Sequence, residues 1–247
     1  MSRTVLVTGG ARRLGGAIVR RLADAGHRVV IHYGRSGDEA AALAEEIGAA
    51  GTVVGDLADT GAISDLWARA VEIAGEPITG LVNSASEFAF DRPEAIDPAL
   101  SARLYAVNCT APVLLAQALA GQGAGGVVVN LLDQKLANPN PDFFSYTLSK
   151  AALAEATVLM AQAHAPGIRV NAVAPGLTLP SGDQSAAEFE RTGRQNLLGR
   201  PVGAEAVADA VRWLIEAESV TGQTLFVDSG QRFVRRDGDV MFEDRDA

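Results

Sequence analysis

Tyr146 and Lys150 stand four residues apart in the run SYTLSK. On a helix that spacing puts both side chains on one face. A free phenol titrates near ~10, too high for easy proton exchange at neutrality. An ammonium beside it favours the phenolate and lowers that value, which makes the pair a candidate for proton transfer. The bland alternative for so common a spacing is two residues on a half-exposed helix face.

A second candidate is TGGARRLGG (Thr8–Gly16), which follows the apolar run at 4–7 and leads into a helical pattern near Leu14. Gly9 and Gly15 permit a tight turn and close backbone approach to a pyrophosphate. The helix N-terminus beyond them offers free N–H groups and the positive end of a dipole. Strand, glycine loop and helix in that order point to a dinucleotide, whereas the glycines alone would not. Two adjacent arginines, Arg12 and Arg13, are unusual there. The next apolar strand ends HYGRSGD, with no acid directly after it; Arg35 and Ser36 follow instead. An arginine and a hydroxyl suit a ribose 2′-phosphate through charge-assisted bonds, and Arg12 could reach the same group. NADPH is therefore expected over NADH. The alternative is that Arg12 and Arg35 are solvated surface charges.

These residues need a frame. Short β-branched runs at 4–7, 28–33, 52–55, 80–83, 126–132, 168–174 and 223–228 alternate with helical patterns near 14–25, 37–48, 60–74, 97–120, 144–164, 185–196 and 203–217. Strands apolar on both faces are parallel strands covered by helices. The expected fold is α/β: a single Rossmann-type doubly wound domain over 1–230, with a seven-stranded, mainly parallel sheet and helices on both faces. Residues 176–199 break the rhythm and are a candidate substrate lid. The charged tail 231–247 reads as a partly disordered terminus. Phe233, Val234, Met241 and Phe242 give it apolar anchors for docking on a neighbouring subunit. The Ala/Leu-rich stretch 151–163 has few charges and suits packing on another subunit.

The formal net charge of -9 disfavours nucleic acid and anionic lipid as partners. The single cysteine, Cys109, allows no intramolecular disulfide, and the three histidines, His27, His32 and His164, are not spaced for a metal. No signal peptide and no apolar run of membrane-spanning length is evident, so the cytoplasm is the expected location.

Taken together, TGGARRLG, NSAS (83–86), Asn108, Tyr146 with Lys150, and PG (175–176) resemble the short-chain dehydrogenase/reductase family, from Val5 to about Gly230. The resemblance implies that Tyr146 is the catalytic acid and that Lys150 lowers its pKa and binds the nicotinamide ribose. It implies that Asn108 holds a backbone kink and a relay water, that Asp56 and Leu57 meet the adenine, and that Pro175 and Gly176 lie beside the nicotinamide. Gly9, Arg13, Leu14, Gly15, Asn83, Ser84 and Ala85 complete the implied cofactor site, and the implied assembly is a homotetramer.

Three departures from the family pattern resemble one branch, the pteridine reductases. Asp133 stands thirteen residues before the tyrosine, where the family usually has serine; Arg13 replaces the central glycine of the loop; and NSAS replaces NNAG. That branch implies Asp133 working with Tyr146, Arg13 near both phosphates and substrate, Ser86 touching both ligands, Phe88 stacked on the pterin, and Leu177 beside it. The implied reaction is reduction of a C=N bond, with hydride to carbon and a proton to nitrogen. A turn residue at a strand end is the alternative for Asp133. At the level of function the alternatives are a carbonyl reductase acting on a ketone or aldehyde, and a non-catalytic NADP(H) sensor.

Overall fold

The computed structural model describes residues 2–180 and 184–239. Residues 181–183 of the expected lid, and Met241 and Phe242 of the tail, lie outside the described residues. Seven strands form one sheet: β1 (Thr4–Thr8), β2 (Arg28–Tyr33), β3 (Gly51–Val54), β4 (Gly80–Asn83), β5 (Gly126–Leu131), β6 (Ile168–Pro175) and β7 (Thr224–Val227). Their order is β3-β2-β1-β4-β5-β6-β7, and every neighbouring pair is parallel.

Alternation along the strands divides the core into two layers. Val5 and Val7 of β1 and Val29 and Ile31 of β2 face α1 (Arg13–Asp24), α2 (Gly37–Ile47) and α8 (Ala204–Glu216). Leu6, Val30, Leu81 and Val128 face the opposite way, toward α3 (Ile63–Ala74), α5 (Ala111–Gly121) and α6 (Phe144–Ala163). The remaining helices are α4 (Pro98–Tyr105) and α7 (Ala186–Gly193). The winding reverses between β1 and β4, which opens a crevice beyond the carboxyl ends of these strands.

The helix expected over 97–120 is not regular. Asp97 caps α4 by accepting from Ala99 N at 2.8 Å, and a π turn over Ala106–Thr110 then separates α4 from α5. Pro112 has no N–H to give the carbonyl four residues back, that of Asn108, so a regular α ladder cannot run through this point. The sequence reading of no membrane-length apolar run also needs correction. Pro98–Gly121 is long and apolar enough to cross a membrane by length and composition. Leu104, Val107, Leu115 and Leu119 of this stretch are buried in the domain.

Of the tail, residues 231–239 are described, and 240–247 lie outside the described residues. After β7 the chain turns through Gln231–Phe233, and residues up to Asp239 fold back on their own domain.

Candidate active site

The glycine loop is built on left-handed backbone. Gly9 has φ 62°, and Arg13, which stands in place of the loop's central glycine, has φ 55°. A non-glycine residue in that region costs roughly 1–2 kcal/mol, strain of the kind stored at functional sites. The Arg13 guanidinium donates to Pro180 O at 2.6 Å, so it ties the loop to the segment after β6. Close packing fixes the rest: a Cβ at Gly15 would lie 2.1 Å from Gly9 O, and one at Gly9 would lie 2.9 Å from Ala85 Cα. Thr8 Oγ1 accepts from Ser84 N and Ala85 N, each at 3.1 Å, and so holds the NSAS stretch against the loop. Gly15→Ala must displace Gly9. We expect it to weaken dinucleotide binding by more than about tenfold, measured by titration of intrinsic fluorescence.

His32, the one polar side chain of β2 turned into the interior, fastens the loop from below. Its Nδ1 accepts from Gly9 N at 3.2 Å and its Nε2 lies 3.2 Å from Gly55 O. Burial lowers its pKa to about 4, so it stays neutral and can accept from the loop.

One cavity beside this loop is lined by Gly9, His32, Arg35, Asp56, Leu57 and Ala85. Arg35 thus meets the expected adenosine residues. Ser36 begins α2 with no side-chain cap bond. Arg12 is not in the lining: it is exposed, 3.8 Å from Glu39 of α2. Asn83 is also placed elsewhere than expected. It is buried and donates to Asn130 Oδ1 at 2.8 Å, supporting the end of β4 from inside. Arg103, which the sequence did not single out, bridges Glu87 at 2.7 Å and Asp56 at 3.6 Å on the cavity wall.

Ser86 joins that cavity to a larger cleft of about 510 Å³, whose lining includes Arg13, Leu14, Ser84, Phe88, Asp133, Tyr146, Lys150, Pro175, Gly176 and Leu177. Within it Tyr146 Oη donates to Asp133 Oδ2 at 2.9 Å. Asp133 ends the loop after β5, and its other oxygen accepts from Lys135 N at 2.8 Å, which fixes the carboxyl. Lys150 Nζ donates to Leu131 O at 2.8 Å and lies 5.8 Å from the Tyr146 ring centre.

The electrostatics depart from the sequence expectation. Tyr146 is not pushed toward phenolate. Burial, and then the facing Asp133, raise its pKa well above the ordinary value, so it is a phenol that keeps its proton. Burial also raises the Asp133 carboxyl. Lys150 is lowered to about 8 by burial, against the pull of Asp133 and Cys109. At that distance from the phenol the ammonium does not offset the cost of burying a phenolate.

Asn108 sits behind the cleft. Its Oδ1 accepts from Ser86 Oγ at 3.1 Å and Glu87 N at 2.9 Å, and its Nδ2 donates to Glu87 O at 2.9 Å and Ser149 Oγ at 3.0 Å. All four hydrogen-bonding positions of its amide are used, so the side chain clamps the strand end and has none left for a water. Phe88 stands at the cleft with its ring stacked on Phe143 at 4.1 Å and edge-on to Tyr146 at 4.7 Å. Phe143 itself adopts φ 53° just before α6. Sequence reasoning also missed Gln231, whose Oε1 accepts from Leu177 N at 2.8 Å on the cleft wall.

The close-packed glycines, the exposed helix N-terminus and the arginine-bearing cavity form a cradle suited to a dinucleotide. Residues 3–227 match the family model described as short chain dehydrogenase. Dihydromonapterin reductase of Klebsiella pneumoniae is 26% identical over 93% of this chain and 96% of its own. 3beta-Hydroxysteroid dehydrogenase 1 of Eggerthella lenta is 34% identical over 92% of this chain and 93% of its own. Among solved structures, FolM alternative dihydrofolate reductase 1 from Brucella canis, complexed with NADP, superposes with a TM-score of 0.90. It is 44% identical, over 95% of each chain. A glycine loop joined to a Tyr–Lys–Asp cluster, on a sheet matched almost from end to end, identifies the chain as a member of the short-chain dehydrogenase family.

Proposed function

We propose that this protein is an NADPH-dependent reductase of a pteridine-type C=N bond. The observation that carries the reading is the bond between Tyr146 Oη and Asp133 Oδ2 in a cleft walled by Phe88. A serine at position 133 would donate to a carbonyl oxygen. A half-buried carboxyl paired with a phenol instead holds a proton for a ring nitrogen. The names of the relatives, dihydromonapterin reductase and alternative dihydrofolate reductase, agree with this choice.

The residues present fit the cofactor. Gly9, Leu14 and Gly15 would hold the pyrophosphate, and Arg35 the 2′-phosphate. Asp56 and Leu57 would hold the adenine, and Lys150, Pro175 and Gly176 the nicotinamide half. When bound, NADPH supplies the hydride. Phe88 presents a flat face for the substrate ring and limits its tilt. Tyr146 passes its phenolic proton to the substrate nitrogen, and Asp133, protonated from solvent, refills Oη. The Lys150 ammonium then faces the Asp133 carboxylate that this leaves, an attraction that lowers the Asp133 pKa.

Arg35→Ala should cut the preference for NADPH over NADH by about ten- to a hundredfold, since a charged hydrogen-bonding partner of the 2′-phosphate is lost. The ratio of kcat/KM for the two cofactors measures this. The reading as a whole is tested by NADPH oxidation against dihydromonapterin, dihydrofolate, biopterin and simple ketones. Turnover of a reduced pterin is expected. Turnover of ketones with inert pterins would favour the carbonyl reductase reading, in line with the hydroxysteroid dehydrogenase relative.

A further inference from the structure

The tail enters the site. Asn138 Nδ2 donates to Val234 O at 2.7 Å, and Asp239 N donates to Asp142 Oδ2 at 2.8 Å. Lys135 Nζ donates to Asp239 Oδ2 at 3.3 Å and to Asp142 O at 2.6 Å. Lys135 is only 4% exposed. Asp239 is thus held through both its backbone and its side chain against the loop that begins at Asp133, and a carboxylate fixed in this way is preorganised for a ligand.

Asp239 lines the catalytic cleft together with Asp133 and Tyr146. It also lines a second hollow of about 320 Å³, walled by Asp142 and residues 234–238, which include Arg235 and Arg236. Among the described residues the two spaces share only Asp239, which borders both. Its charge reaches both Asp133 and Tyr146 and raises the proton affinity of each.

In a dihydropterin the reacting carbon carries the substituent that distinguishes one pterin from another. Asp239 shares the cleft with Tyr146 and Asp133, so a substituent that turns toward the tail meets its carboxylate. An ionised carboxylate only accepts hydrogen bonds, so it welcomes hydroxyls and repels other carboxylates. We propose that Asp239 is a specificity-determining residue. It accepts hydrogen bonds from a neutral polyhydroxyalkyl substituent and keeps a carboxylate-ended arm from reaching Arg235 and Arg236. The inference rests on the pteridine reading of the site.

The test is kcat/KM for dihydromonapterin, which carries hydroxyls, and dihydrofolate, which carries a carboxylate-ended arm, at saturating NADPH with the full chain. Wild type should favour the hydroxylated substrate. Asp239→Ala should move the ratio toward dihydrofolate by about tenfold or more, chiefly through KM, because a hydrogen bond to a charged group is lost and a repulsion is relieved. Asp239→Glu should keep much of the preference. NADPH affinity, titrated in each variant, reports an intact fold. An unchanged ratio in Asp239→Ala, or an equal loss on both substrates, would overturn the proposal while leaving the pteridine reading in place. A wild type inert to both substrates overturns that reading and this proposal with it.

Discussion

Tyr146→Phe lowers kcat/KM for a dihydropterin by about 10²–10⁴-fold and leaves NADPH affinity within about twofold, the loss expected when a general acid is removed and the cofactor cradle is not. The phenyl ring keeps its packing against Phe88, so the fold should hold. Only the hydroxyl goes, and with it the hydrogen bond to Asp133. That bond lowers the Asp133 pKa, so its loss moves the carboxyl further up. Steady-state turnover together with cofactor titration checks the expectation. A sensor, which would bind NADPH without turnover, has no wild-type activity to lose.

Asp133→Ser carries the second large effect. Serine can still cap the short turn at Gln134–Ala137 as Asp133 does through Lys135 N, so local structure is kept. Pterin turnover should fall by about 10²-fold or more, because the phenol loses the group that returns its proton. The pH dependence has a definite sign. In wild type the carboxyl is raised and the ammonium of Lys150 is lowered to about 8, so turnover should fall as pH rises through both. Asp133 also pulls the Lys150 pKa upward. In Asp133→Ser that pull is gone, and the alkaline limb assigned to Lys150 should move below about pH 8, a shift the kcat–pH profile reads directly.

Stability should move the opposite way. A carboxyl raised on folding contributes fully below its unfolded pKa, and that contribution is lost as pH rises through the folded value. At neutral pH Asp133, its carboxyl raised on folding, therefore destabilises the fold relative to serine. Tm of Asp133→Ser should exceed that of wild type at pH 7, and the difference should shrink in acid.

Much of the frame was legible because its signals are local. The β-branched runs, the helical patterns between them and the glycine loop each carry their own periodicity or turn chemistry, and every expected strand was found within a residue or two of its place. Asp133 was legible only through its spacing from Tyr146. What escaped depends on distant partners. Asp239 meets Lys135 across 104 residues, and no period links them. His32 carried no sequence signal beyond its lack of metal-binding spacing. Its hold on Gly9 follows from the pairing of β2 with β1 and β3, which places it between the glycine loop and Gly55. The left-handed Phe143 has no glycine to announce it. The titration of Tyr146 was misjudged because helix spacing places Lys150 on the right face and says nothing of depth. Burial, which no spacing encodes, decides the sign.

Hydride transfer to a pteridine carbon is read most directly with NADPH deuterated at the transferring position. Wild-type protein, the deuterated cofactor and dihydromonapterin are incubated in ordinary water, and the product is analysed by mass and NMR. One deuteron should appear on ring carbon and persist in water, while the new N–H carries solvent hydrogen. Deuterium absent from the pterin, but present on the carbinol carbon of a ketone offered in parallel, would make the protein a carbonyl reductase and not a pteridine reductase.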